Sequence, residues 1–272
     1  NISAGVLSAT TLANGGVASG IGKASTSSGN LVLDGGTLRY TGDTVSTDRF
    51  FTISTNGATL DMSGTGGVTW AGNGGTTAVT LASSSGTYSL TLTGSGVNEF
   101  KIRLNNPSSS GTVGLTKTGT GTWKLNALNG YTGATAVNAG VLQMGSTSIF
   151  AAGTTVTVNS LGTLDLANFA LAKAITLNGG AVINSTGNSG ALTSGITLTA
   201  NSTLAAATGA TLTISGTKIS GAFGLSIGSV SNLGKVVLSD KAVTDSSSYS
   251  GSNTVISGVT LGRKYDGTPS FN

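Results

Sequence analysis

Apolar residues along this chain recur two apart, in short bursts separated by breaks rich in Gly, Ser, Thr and Asn. Alternate side chains of a strand point to opposite faces, so a period of two predicts strands with one face turned inward. The bursts are Leu31/Leu33, Leu38/Tyr40, Phe51/Ile53, Leu60/Met62, Val68/Trp70, Val79/Leu81, Leu90/Leu92 and Phe100/Ile102/Leu104. They continue as Trp123/Leu125, Val156/Val158, Leu164/Leu166, Ile175/Leu177, Ile196/Leu198, Leu212/Ile214, Leu225/Ile227 and Val236/Leu238. Turns are marked by Asn56-Gly57, Asn178-Gly179 and the Gly35-Gly36, Gly66-Gly67 and Gly74-Gly75 pairs, so a new strand begins about every ten residues. One stretch, Ala167 to Ala174, has the length for a short helix, but strand patterns flank it and it lacks caps. The chain reads as all-β.

An antiparallel sandwich or barrel and a solenoid of stacked parallel strands both fit that pattern. Internal repeats favour the solenoid. Tyr131-Thr-Gly133-Ala-Thr135-Ala-Val137-Asn-Ala-Gly140-Val141 reappears as Tyr249-Ser-Gly251-Ser-Asn253-Thr-Val255-Ile-Ser-Gly258-Val259. A third trace opens the chain, where Ile2-Ser-Ala4-Gly5-Val6-Leu7 overlays Val137-Asn-Ala139-Gly140-Val141-Leu142. Copies near residues 1–8, 114–143 and 224–261 stand at unequal spacings, which implies coils of variable length. The expectation is one right-handed parallel β-helix over residues 1–272, with irregular coils of about 20–25 residues. In such a stack inward residues pile into columns and each backbone bonds to the coils before and after it.

Composition narrows the chemistry. The 272 residues include 44 Gly but only 2 Pro, no Cys and no His. A Ser-His-Asp triad, imidazole metal ligands, disulfides and thiolate catalysis are therefore excluded. Charged residues make up 8% of the chain, about a third of the usual share, so Ser, Thr, Asn and backbone groups must carry its hydration. At 5% aromatic the core is thin. The net charge of +4 comes from scattered groups with no dense Lys/Arg run, so no nucleic-acid partner is expected. No apolar run reaches the ~18 residues of a membrane helix, and the first eleven residues carry neither the basic nor the apolar region of a signal peptide.

Residues 114–143, Gly-Leu-Thr-Lys-Thr-Gly-Thr-Gly-Thr-Trp-Lys-Leu followed by Tyr-Thr-Gly-Ala-Thr-Ala-Val-Asn-Ala-Gly-Val-Leu-Gln, resemble the autotransporter-associated β-strand repeat, also called the passenger-associated transport repeat. The positions that carry the resemblance are Gly114, Leu115, Lys117, Gly119, Gly121, Trp123, Leu125, Tyr131, Gly133, Thr135, Val137, Gly140 and Leu142. It implies a parallel β-helix within a large secreted bacterial surface protein, often an adhesin. The copy from Gly224 to Leu261 lacks the Lys-Thr-Gly and Trp features and carries extra residues.

Candidate chemistry outside the repeat is sparse. The nearest carboxylate pairs, Asp43/Asp48 and Asp240/Asp245, lie in Ser- and Thr-rich surroundings that read as turns. Glu99, Lys101 and Arg103 alternate with Phe100, Ile102 and Leu104, a strand with a charged outer face. Ser215-Gly-Thr-Lys218 and Lys117-Thr-Gly119 imitate fragments of a penicillin-recognising enzyme, but in reversed order, without S-D-N and without a helix. Trp70, Trp123 and Tyr131 are expected to fill the interior rather than stack on sugars. Asn184-Ser-Thr186 and Asn201-Ser-Thr203 match a glycosylation sequon, and no Asp-rich calcium nonapeptide is present.

The expected function is a non-catalytic segment of an extracellular or cell-surface bacterial protein, an adhesin stalk or a self-assembling fibre subunit. No cofactor, metal or catalytic residue is expected. Its expected partners are further copies joined head-to-tail at the end coils, or neighbouring repeats of the same long chain, with a surface glycan as a further candidate. Neither terminus shows a charged cap, and Pro269 alone would block strand addition there. The alternative is a polysaccharide-binding or polysaccharide-cleaving β-helix, which needs Asp43, Asp48 and Asp61 to converge beside Arg39 or Arg49.

Overall fold

The computed structural model describes residues 1–215, 219–239, 253–255 and 260–264. Strands and a three-residue 3-10 turn, Ser28–Asn30, make up its regular structure, and no α-helix occurs among the described residues. Strand-to-strand pairing is parallel throughout these ladders, and the fold is a β-solenoid. It separates into two compact units, residues 1–155 and 156–272.

In the first unit, Val6–Ala9 pairs with Thr37–Tyr40, then in turn Ala58–Met62, Ser85–Gly94, Ser110–Lys117 and Thr135–Met144. One inward column follows from this register: Leu7, Leu38, Leu60, Leu92, Lys117 and Val137. A second face stacks Val45–Thr47, Val68–Trp70, Val97–Phe100, Thr122–Leu125 and the far half of Thr135–Met144, giving the column Thr47, Trp70, Phe100, Leu125 and Met144. A short third sheet holds Val32–Leu33, Thr52–Ile53 and Thr80–Leu81. Inside the coils Phe51 meets Trp70 edge-on at 5.4 Å, and Phe100 meets Trp123 of the adjacent coil edge-on at 6.5 Å. Burial of each of Leu38, Leu60, Leu92 and Leu125 contributes about 2 kcal/mol relative to an exposed side chain, and the aromatic contacts add to it.

The second unit has three columns of its own. Val156, Ile175, Ile196 and Ile219 form one, Leu164, Val182, Leu204 and Ile227 the next, and Leu171, Leu192, Ile214 and Leu238 the third. A period-two sequence buried on one side only yields this result. The short candidate helix is instead a turn with left-handed Ala167 and Asn168, leading into strand Ala170–Leu171.

Coil length departs from the expected 20–25 residues in the first unit. Lys117 and Val137 are one coil of 20 apart, but Leu60 and Leu92 are one coil of 32 apart. The surplus leaves at corners, where parallel pairing sets no limit on length. The run Phe100/Ile102/Leu104 is likewise not one strand. The strand ends at Phe100, and Ile102 and Leu104 stay buried because residues at the corner also point inward.

Candidate functional site

The repeat motif is built around one corner of the first unit. Lys117 stands in an inward column otherwise made of Leu and Val, and its side chain is fully buried. Its aliphatic stem fills the column while the ammonium turns to the corner, where Nζ donates to the carbonyls of Thr118 at 2.5 Å, Gly119 at 2.9 Å and Ala139 at 2.9 Å. Burial pulls this amine down to about 8. Those carbonyls turn inward because the corner residues Gly119 and Gly140 take left-handed conformations, with φ of 66° and 65°. A methyl group on Gly140 would stand 2.4 Å from the Gly119 carbonyl, 2.5 Å from that of Gly121 and 2.7 Å from Lys117 Nζ. The Lys-Thr-Gly-x-Gly spacing and the distant Gly140 therefore serve one knot between adjacent coils.

The remaining motif positions pack beside it. Leu115, Leu125, Val137 and Leu142 are buried in the columns. Trp123 is fully buried and its Nε1 donates to the Thr93 carbonyl at 3.0 Å. Tyr131 is fully buried with its hydroxyl 2.8 Å from Thr135 Oγ1, and its carbonyl accepts from Thr154 Oγ1 at 2.7 Å. Burial holds the Tyr131 phenol well above its ordinary range. Gly114 and Gly133 lie against the backbone of adjacent coils, and Gly133 N donates to the Val113 carbonyl at 3.0 Å. Trp70 is also fully buried, and its Nε1 bonds the Arg49 carbonyl at 2.6 Å. None of Trp70, Trp123 and Tyr131 turns a ring face to solvent.

The opening copy of the motif shares the corner but not its crowding. Gly5 is left-handed like Gly140, with φ of 73°, yet a methyl group there meets nothing within 4 Å. The copy over 224–261 is described only in part; Tyr249, Gly251 and Gly258 lie outside the described residues, as do Asp240, Asp245, Lys218 and Pro269.

The carboxylates are held one by one. Asp61 pairs with Arg39 across the ladder at 2.7 Å and accepts from the Ser63 hydroxyl. Asp43 Oδ1 accepts from Thr65 Oγ1 at 2.8 Å, and Asp48 Oδ1 accepts from Gly15 N at 2.7 Å. Glu99 meets Lys101 at 2.9 Å and Lys124 at 3.9 Å and accepts from Asn126. These are turn bonds and an outer charged ladder, with Glu99 and Lys124 paired in adjacent coils. Among the described residues no three acidic side chains gather as a metal cluster would require.

Two buried polar knots have no counterpart in the sequence reading. Arg49 is almost fully buried, and its Nε donates to Ala13 O at 3.0 Å while Nη2 reaches Val17 O at 3.1 Å and Gly22 O at 2.9 Å. It clasps the long segment that leaves the first coil. In the second unit Asn184 is fully buried; its Oδ1 accepts from Asn168 N at 2.8 Å, and its Nδ2 donates to Asn188 O at 2.7 Å and Thr211 O at 2.9 Å. The sequon reading of Asn184 is thus displaced by a structural one, since the amide is inaccessible. The only sequence signal for either knot is a polar residue at a position where the alternation requires an inward side chain.

Residues 115–144 match the passenger-associated-transport-repeat family, so the chain carries the repeat its sequence resembles. Over 67 residues it is 45% identical to the adhesin BmaC autotransporter of Brucella suis biovar 1 (strain 1330), a stretch covering 24% of this chain and 2% of that much longer protein. No solved structure matches the chain.

Proposed function

Starting from a passenger-associated transport repeat folded into a β-solenoid, we propose that this chain is a non-catalytic structural segment of an extracellular or cell-surface bacterial protein. It serves as an adhesin stalk, and its end coils accept further coils head-to-tail, from the same long chain or from another copy. The observation that carries this reading is the use made of the repeat. Lys117, Trp123 and Tyr131, its most chemically capable side chains, are all buried and bonded to backbone carbonyls of their own or adjacent coils or to Thr135. The likeness to a protein named as an adhesin and autotransporter supports the surface location. Strand Val6–Ala9, whose side chains Val6 and Leu7 are 54% and 39% exposed, supports stacking of a further coil.

The test is negative-stain electron microscopy and sedimentation of the purified chain over a concentration series. Head-to-tail addition gives particles that lengthen with concentration and shorten when Val6 is replaced by Lys. Monodisperse particles at the highest concentration sink the fibre-subunit part of the proposal, and turnover on a panel of acidic polysaccharides sinks the non-catalytic part.

A further inference from the structure

The third sheet of the first unit ends at Thr80–Leu81, which pairs with Thr52–Ile53 on one side. Thr80 N and Ala82 N donate to Phe51 O and Ile53 O in the preceding coil. In a parallel ladder alternate residues turn both backbone groups the same way, so the N–H and C=O of Leu81 face the following coil. There the ladder begins and then fails. Val79 N donates to Arg103 O at 2.8 Å and Arg103 N to Thr77 O at 3.1 Å, and pairing resumes with Ser109 N on Ser84 O at 2.8 Å and Ser85 opposite Ser110.

The register on either side of the gap is the same, with Ala78 opposite Arg103 and Ser85 opposite Ser110. Continued across it, that register brings residue 107 to donate to the Leu81 carbonyl. Residue 107 is proline, which has no N–H. The neighbouring rung is also diverted, because the Tyr88 hydroxyl accepts from Ser83 N at 2.9 Å and donates to Ser83 O at 3.0 Å. Asn105 is engaged with the coil beyond, its Oδ1 accepting from Gly130 N at 2.9 Å. Between the parted segments lies a groove of about 400 Å³ lined by Ala78, Val79, Leu81, Ser83, Ser84 and residues 105–108. That volume is at the lower end of the range for ligand sites.

We propose that this groove is a strand acceptor: it takes a short, extended, uncharged peptide segment that pairs with the backbone of Leu81 and fills the rung that Pro107 leaves open. Main-chain pairing with an exposed sheet edge supplies the affinity, and alternate side chains of the guest set the selectivity. The wall carries no charged residue, so a charged guest would lose hydration without a counter-charge. It carries no aromatic ring either, so a sugar finds no stacking face. Ala78, Val79, Leu81 and Pro107 offer apolar contact to small β-branched side chains, and Ser83, Ser84 and Ser108 offer hydroxyls.

The experiment uses the intact chain and the capped peptide acetyl-Thr-Val-Thr-Val-Thr-amide, with an analogue N-methylated at alternate residues and the neutral sugar cellotetraose as comparisons. Amide hydrogen exchange is followed by NMR. The peptide is expected to slow exchange at Leu81 at least tenfold and to shift the amides of residues 80–84, while the N-methylated analogue and the sugar do neither. In P107T, where the missing donor is restored, peptide affinity is expected to fall at least fivefold. Equal binding of the N-methylated analogue, a response to the sugar in place of the peptide, or no response at millimolar peptide overturns the proposal. The peptide comparison is made on the unmutated protein, so it stands whether or not the Pro107 variant folds.

Discussion

Replacing Gly140 by Ala tests whether the repeat's corner is limited by backbone conformation or by crowding between coils. Two costs are separable. An alanine held at φ of 65° pays about 1–2 kcal/mol for the left-handed conformation alone. The methyl group would also lie 2.4 Å and 2.5 Å from two backbone carbonyls and 2.7 Å from the Lys117 ammonium, a side-chain end that is itself held by three carbonyls. Forcing those groups apart costs a further ~1–3 kcal/mol or more. The same substitution at Gly5 or Gly74, both left-handed with nothing within 4 Å, carries the conformational cost alone. Trp70 and Trp123 are both buried in the first unit, so urea unfolding followed by tryptophan fluorescence reports on the body that holds all three sites. The expected order is a loss of about 1–2 kcal/mol for G5A and G74A and about 2–5 kcal/mol for G140A, a midpoint shift on the order of 1 M or more for G140A. If G140A unfolds at the same urea concentration as the two controls, the crowding argument is refuted and the carbonyl knot is not a tight constraint.

Two further outcomes are expected. Because the folded Lys117 amine titrates near 8 and an unfolded lysine near 10.5, the unfolded chain holds the extra proton between those values, and stability rises with pH across that window. The gain reaches about 2 kcal/mol by pH 9.5, seen as the difference between the unmutated protein and K117M, which also cancels the tyrosines; a difference that is flat with pH contradicts the assignment. In R49M the clasp on the carbonyls of Ala13, Val17 and Gly22 is gone. Trypsin should then cut after Lys23 at least ten times faster, measured by mass spectrometry, and an unchanged rate means that the segment is held by other contacts.

Sequence alternation located many of the strands whose inward residues are apolar, as in Leu38, Leu60 and Leu92 or Ile175 and Ile196. It passed over Val45–Thr47, Ala181–Asn184 and Ser189–Leu192, where Thr47, Asn184 and Gly190 occupy inward positions. A buried polar side chain has the same one-letter signature as an exposed one, and only its hydrogen-bond partners, contributed by other coils, distinguish the two. Lys117 shows the limit well. Its place in the repeat was legible, but the carbonyls that hold it come from a corner of its own coil and from Ala139 in the next. The clasp of Arg49 depends on residues 27 to 36 positions earlier, beyond any local pattern. Corner length was illegible for a related reason, since parallel pairing fixes which residues stack and leaves the path between them open.

That freedom has a consequence for how such a chain changes over generations. Adding ten residues at a bend, as between Leu60 and Leu92 compared with Leu38 and Leu60, leaves every stacked leucine in step. Adding one residue within a ladder exchanges inside for outside along the whole strand. The bends therefore tolerate insertions that the stacked interior does not. A foreign epitope spliced at the exposed bend around Gly74 should be displayed without disturbing the rungs on either side.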